Sequence, residues 1–321
     1  MFALRGVAVS LTFFVLLYCL LSTVVAVAWR SLKLLYASEQ HVASLLFALR
    51  VLPIVISISI TFAFVVPSFQ LLEPRSINLD EGIGRMPLAL GVCALLLIAC
   101  GCFRVITAQT RTSRVVARWL EGAHPLNTEG GGETQAETVT FRSRCETPPL
   151  TLVGVSRPRV LISETTVALL SHDELQIALK HELAHMRSRD NLKKLVFRFC
   201  PFLGMAKLES AWSQAAELAA DDAAVSNLGD AIDLASALVK LSRLVPVEAA
   251  PVCTVGFVTG SISARVARLL AWDEAEICKA RQMQMRPWHI IPPVAAALLC
   301  VCATYGPALA LTHEVTEWLV R

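Results

Sequence analysis

Four long uncharged runs dominate the pattern of apolar and polar positions. Gly6 to Trp29 carries no charge for 24 residues, Val51 to Gln70 for 20 and Met86 to Phe103 for 18. His289 to His313 contains no Asp, Glu, Lys or Arg. Each run is long enough as a helix to cross about 30 Å of hydrocarbon, the third only just. The pattern therefore predicts four transmembrane helices. Ala26-Val27-Ala28 resembles a signal-peptidase site, but the apolar run before it is far longer than a signal h-region, so the first helix is expected to be retained.

Between the third and fourth runs the period changes. Thr138 to Ser163 holds V-T-F-R-S, L-T-L-V-G-V and R-V-L-I-S, short β-favouring runs divided by Pro148-Pro149 and Pro158. A small sheet is expected there, whose edge strand could hold an extended peptide by backbone hydrogen bonds. Ser171 opens S-H-D-E, a capping-box signature, and Leu175 to Phe199 follows without Pro or Gly and with apolar residues at helical spacing. Ala211 to Val225 is alanine-rich and helix-favouring. Ala231 to Val245 and Ser261 to Met285 predict two more helices, the second capped by Ser261. Lys194 to Trp212, apolar but broken by Pro201 and Gly204, reads as a hairpin dipping into the membrane interface, and Glu121 to Glu137 as a mobile loop.

The expected fold is thus a mainly α membrane protein. An α+β domain, residues 104–288, is inserted between the third helix of a three-helix region (1–103) and a fourth helix with a short tail (289–321). Composition agrees: 55% hydrophobic and 17% charged residues are too apolar for an ordinary soluble domain. Charge sets the expected sidedness. Arg30, Lys33 and Arg50 follow the first run, Arg104, Arg111, Arg114 and Arg118 the third, and Lys279, Arg281 and Arg286 precede the fourth. The connection at 71–85 has no positive excess, with Glu73, Asp80 and Glu81 against Arg75 and Arg85. These biases predict a multi-pass protein of the cell (inner) membrane with both termini outside and residues 104–288 in the cytoplasm. The net charge of +3 follows from that sidedness and gives no reason to invoke direct nucleic-acid binding. Of ten cysteines, Cys19, Cys93, Cys100, Cys102, Cys300 and Cys302 fall in apolar spans, and Cys145, Cys200, Cys253 and Cys278 in the part expected to stay reduced.

Candidate chemistry centres on L-K-H-E-L-A-H-M-R-S-R. His181 and His185, four apart on one helix, can offer two imidazoles to one metal ion, and Glu182 projects near enough to act on an attacking water. Catalytic zinc needs a third protein ligand and an open position. Glu217, an acid in the small apolar run E-L-A-A-D-D-A-A-V, is the expected third ligand, because a cation would offset the cost of burying it. Asp221, one turn on, could accept the free N–H of a ligating histidine. Asp222 shares that helix and stands with Asp221 as the next candidate. No third histidine follows at metzincin spacing, and His41, His124, His172, His289 and His313 read as non-ligands.

R-P-R-V-L-I-S, S-H-D-E-L-Q-I-A-L-K-H-E-L-A-H-M-R-S-R-D-N-L and E-L-A-A-D-D-A-A-V together resemble the BlaR/MecR-type membrane metallopeptidases, the antirepressor proteases that signal β-lactam exposure. The resemblance is best over Arg104 to Arg286. It implies a gluzincin with Zn2+ at His181, His185 and Glu217 and Glu182 as general base. It also implies a cytoplasmic protein substrate, such as a winged-helix repressor or the chain's own loop. An external penicillin-binding sensor and its S-x-x-K motif are not expected here, so a separate sensor partner is a possibility the sequence leaves open. Two further readings stay open: a housekeeping protease of membrane-protein quality control, and a non-catalytic membrane transducer with structural zinc.

Overall fold

The computed structural model describes residues 2–31, 38–73, 84–121, 123–125, 140–143, 148–202, 204–244, 254–256, 262–272 and 291–320. Most of 121–137, the loop at 74–83, Ser261, the stretch 273–290, and Cys145, Cys253 and Cys278 lie outside the described residues, and with them the readings made there. So do the side chains of Cys300 and Cys302.

Among the described residues three helices are long and apolar enough to cross a membrane, at Phe2–Ser31, Glu39–Leu72 and Arg85–Leu120. The first is α1 (Phe2–Ala28) closed by a 3-10 turn. The second starts twelve residues earlier than its apolar run and comprises α2 (Glu39–Ile60), a π-turn (Thr61–Val65) and α3 (Val66–Leu72). Pro67 near the start of α3 has no N–H to give, which accounts for the widened turn before it. Arg50, read from the sequence as a loop charge, is therefore inside a helix and only 2% exposed. Its guanidinium donates to Glu209 Oε1 at 2.9 Å and to the Cys200 carbonyl, so protein groups rather than water satisfy the charge.

The third helix, α4 (Arg85–Leu120), continues well past Phe103 and carries the cluster of arginines as a stalk. Large side chains such as Leu20, Val27, Val55, Phe62, Leu95, Leu96 and Phe103 stay exposed around these helices. That is the surface hydrocarbon requires.

The sheet follows the sequence runs closely: β2 is Thr140–Ser143, β3 Leu150–Val153 and β4 Arg159–Ser163. Two short strands, β1 (His124–Pro125) and β5 (Thr254–Gly256), flank them in the order β1-β2-β4-β3-β5. Only β2 and β4 run parallel. The strand β4 leads into α5 (Glu164–Leu169), capped by Ser163, and then α6 (His172–Arg187). The capping box is formed in full: Ser171 Oγ accepts from Glu174 N, and Glu174 accepts from Ser171 N at 2.8 Å.

Leu175 to Phe199 is not one helix. The chain breaks at Arg189, the one non-glycine residue of positive φ among those described, at 54°, and resumes as α7 (Asp190–Phe199). Two helices then complete the domain core, α8 (Ala206–Ala224) and α9 (Leu228–Ser242), together with α10 (Ile262–Leu270). Leu152, Val160, Ile162, Ile177, Leu234, Leu238, Leu241 and Leu269 form that core.

The turn between α7 and α8 packs into the helix bundle. Cys200 packs with Phe14, Tyr18, Ile54 and Ala94, and Tyr18 Oη donates to the Pro201 carbonyl. A Cβ on Gly101 of α4 would collide with the Phe199 carbonyl oxygen, so the two backbones meet where only glycine fits. A last helix, α11 (Ile291–Val320), continues beyond His313, where a short tail was expected. Nothing after Pro307 breaks it, and Thr312 and Thr316 bond back to carbonyls one turn earlier.

Candidate metal centre

Helix α6 is anchored at its start by the capping box and by Glu174, whose carboxylate also accepts from Ser236 Oγ at 2.5 Å and Lys240 Nζ at 2.7 Å on α9. Two turns on, His181 and His185 turn inward, both at most 1% exposed. Their Nε2 atoms stand 3.1 Å apart. From α8, Glu217 sets Oε2 3.7 Å from His181 Nε2 and Oε1 3.7 Å from His185 Nε2. Zinc bonds of 2.0–2.1 Å in a tetrahedron leave ligand atoms about 3.3 Å apart, so this triangle fits the ion.

The far side of each imidazole faces an acid. His181 Nδ1 is 3.0 Å from Asp221 Oδ1, and His185 Nδ1 is 2.7 Å from Asp190 Oδ2. Such partners turn Nε2 inward and raise its basicity as a ligand. Asp221 stands where the sequence placed it. Asp222 does not join the group, and pairs with Arg268 at 2.7 Å.

Two members of the constellation were not legible beforehand. Asp190 is five residues from His185, off its helical face, and reaches it only because the chain turns left-handed at Arg189. Arg265 on α10 donates from Nε and Nη2 to Asp221 (2.8 and 2.6 Å) and from Nη1 to Glu217 Oε2 (2.9 Å). A signal existed: Ile262, Arg265, Val266 and Leu269 fall at i, i+3, i+4 and i+7, which puts an arginine in an apolar stripe.

Charge also fits a divalent cation. Glu182, Asp190, Glu217 and Asp221 are all buried, and among the described residues Arg265 and Lys193, the latter 3.1 Å from Asp190, bring fixed positive charge to them. Burial alone would raise Glu217, but His185, the imidazole hydrogen bonds and Arg265 hold its carboxyl well below the usual range. Burial opposes charge on His185 too, yet Glu217 and Asp190 push it up to about 10. The space between the imidazoles therefore favours positive charge.

Glu182 behaves differently. Its carboxylate makes no hydrogen bond to a side chain among the described residues, and the Leu152 backbone is its polar contact. Burial, reinforced by Glu217 and moderated by both histidines, raises it to about 7. A carboxyl that can gain or lose a proton near neutrality suits a general base. A cavity of about 380 Å³ is lined by Leu152, Gly154, His185, Asp190 and Asn191 among others. Asn191 Nδ2 shapes its wall, donating to the carbonyls of Leu152 and Gly154.

The family model for the BlaR1 peptidase M56 matches residues 88–269, more than half of the chain. The chain belongs to this family. No curated protein matches it. As a member of the BlaR1 peptidase family, with three helices among the described residues fit to cross a bilayer, it is a membrane-associated metallopeptidase. The matched stretch runs from α4 to α10 and so takes in His181, Glu182, His185, Asp190, Glu217, Asp221 and Arg265.

Proposed function

We propose that this chain is an integral-membrane zinc endopeptidase of the cell membrane. Its domain acts in the cytoplasm on a protein, a transcriptional repressor or a segment of the chain itself, to relay a signal. His181, His185 and Glu217 would hold the zinc, which when bound supplies Lewis acidity towards the scissile carbonyl and the attacking water. Asp221 and Asp190 fix the two imidazoles. Glu182 takes the proton from water and delivers it to the leaving amine.

The observation that carries this reading is the burial of Glu182 beside the two histidines. A fully buried carboxyl met by little more than the Leu152 backbone is costly, and a purely structural metal site has no use for one. Strand β5 supports a peptide substrate. It pairs antiparallel with β3, Leu152 opposite Val255, and stands at the edge of the sheet, where an extended backbone would add as a further strand.

Glu182→Gln keeps shape and ligands but removes the base. Co-expressed with a repressor substrate, it is expected to abolish cleavage while protein level and zinc content stay at parental values. Undiminished signalling by that variant would favour the non-catalytic transducer and reject the peptidase reading.

A further inference from the structure

Between α1, α2 and α3 the helices do not close fully on one another. A cavity of about 640 Å³ remains, from Phe2 and Phe69 at one end to Phe14, Ile54 and Phe199 at the other. Protein interiors rarely keep voids much larger than a water molecule, whereas sites for small molecules have about this volume. Five of the lining residues are phenylalanines: Phe2, Phe14, Phe62, Phe69 and Phe199. Among the described residues no Asp, Glu, Lys, Arg or His lines it. Val7, Ile58 and Phe62 belong to the same wall and are exposed, so the cavity opens on the surface that faces hydrocarbon.

Of the polar side chains in the lining, Ser10, Thr61 and Gln70, Thr61 is the buried one. It is 6% exposed, and its Oγ has no hydrogen-bond partner among the described residues. A threonine in a helix ordinarily returns that bond to the carbonyl one turn earlier, as Thr12, Thr107 and Thr312 do. Thr61 opens the π-turn and makes no such bond; single π-turns are frequent at functional sites. Thr61 also precedes Glu73 by twelve residues, about 18 Å along the helix, which is near the middle of about 30 Å of hydrocarbon. No water reaches a hydroxyl at that depth. The ester carbonyls of bilayer lipids stay in the interfacial layer, so the acceptor that meets Thr61 has to belong to a molecule dissolved in the hydrocarbon. At the inner end, Phe199 closes α7, whose first residue, Asp190, faces His185 Nδ1. An occupant therefore bears on the far end of a helix that supports the candidate metal centre.

We propose that this cavity binds an uncharged, ring-bearing molecule taken from the bilayer, whose carbonyl or equivalent acceptor receives the Thr61 hydroxyl hydrogen while its rings pack among the phenylalanines.

An alkylated benzophenone tests this, because it is a lipophilic aryl ketone that photolabels from its own carbonyl. The full chain is reconstituted in vesicles of phosphatidylethanolamine and phosphatidylglycerol and irradiated with increasing probe, and the labelled residues are mapped by peptide mass spectrometry. Labelling is expected to saturate at the residues of α1 and the π-turn that line the cavity. Leu95 and Phe103, exposed on α4, should gain only a linear background. Thr61→Val keeps the shape and removes the donor, and should weaken the saturable component about 3–10-fold. Ser10→Phe fills the cavity and should abolish it. Linear labelling everywhere, or parental saturation in both variants, would overturn the proposal. So would saturable labelling of the same wall by a phospholipid with a diazirine in its acyl chain that excess benzophenone fails to displace, since the cavity would then hold a lipid chain. The map of the parent decides on its own should either variant fail to fold, and none of these readouts depends on zinc or on cleavage.

Discussion

Arg265 Nη1 lies 2.9 Å from Glu217 Oε2 while the same guanidinium grips Asp221 through Nε and Nη2. One side chain from α10 thereby fixes both the carboxylate proposed as a metal ligand and the acid beside His181. The fork is what matters, since a lysine ammonium cannot serve three oxygens of two carboxylates in this plane.

Arg265→Lys is therefore expected to weaken zinc binding by about 10–100-fold, the usual effect of losing an outer partner of a metal ligand. Competition titration of the purified chain measures this, and unchanged affinity would show that Glu217 needs no such support.

His185 depends in the same way on Asp190. Asp190→Ala removes the acceptor at 2.7 Å and frees the imidazole to rotate. Zinc affinity and cleavage should both fall about 10–100-fold. Asp190→Asn, which preserves an acceptor oxygen, should recover part of the loss.

The α7–α8 turn is tied into the bundle by Arg50. Arg50→Leu deletes its bonds to Glu209 and the Cys200 carbonyl, so the turn should loosen. Cys200 is a free thiol, 1% exposed, and reports on this directly. A membrane-permeant maleimide should label it at least several-fold faster in the variant, judged against Cys19, which is exposed in both.

Gly101→Val tests the same junction from the other side. A side chain there meets the Phe199 carbonyl, and overpacking of this kind costs about 1–3 kcal/mol. Thermal unfolding should shift down accordingly, while Gly91→Ala, where the nearest atoms lie at 3.7 Å, should leave it almost unchanged.

Glu174 gives a pH dependence with a defined sign. Burial would raise its carboxyl, but Lys240, Ser236 and the Ser171 N–H together hold it below the usual value. The stabilisation is present above the ordinary carboxylate pKa of about 4.3 and is lost as pH falls through the lower folded value. Glu174→Gln should cost about 1–3 kcal/mol at neutral pH, and the gap to the parent should close on acidification. Denaturant unfolding at several pH values measures it.

What could be read in the chain was what local period encodes. The capping box at Ser171, the strand runs at 150–153 and 159–163, and the facing of His181 and His185 are short-range patterns, and the structure contains each of them. Glu217 and Asp221 stood out because acids are conspicuous among alanines, and the fold brings both to the histidines. Arg50 misled because a charge beside an apolar run looks like a loop residue unless its partners, 150 and 159 residues away, are known. Asp190 was hidden by a single left-handed residue, and Arg265 by the 44 residues that separate it from Asp221. The length of α11 was missed because polar residues after an apolar run read as a tail, although nothing there terminates a helix.

Helix α8 has a face for each of two tasks, with Ala215 and Ala216 packed in the cluster that includes Val25, Ala43 and Leu46, and Glu217 and Asp221 directed at the imidazoles. A carboxylate about 6 Å from a helix axis sweeps about 1 Å when the helix turns by 10°, whereas metal–ligand bonds tolerate about 0.2 Å. The membrane helices that grip α8 thus act as the bearing of a shaft. A slight roll of that shaft, transmitted from α2, would be enough to disengage Glu217, making the metal centre a sensitive gauge of how α2 is seated.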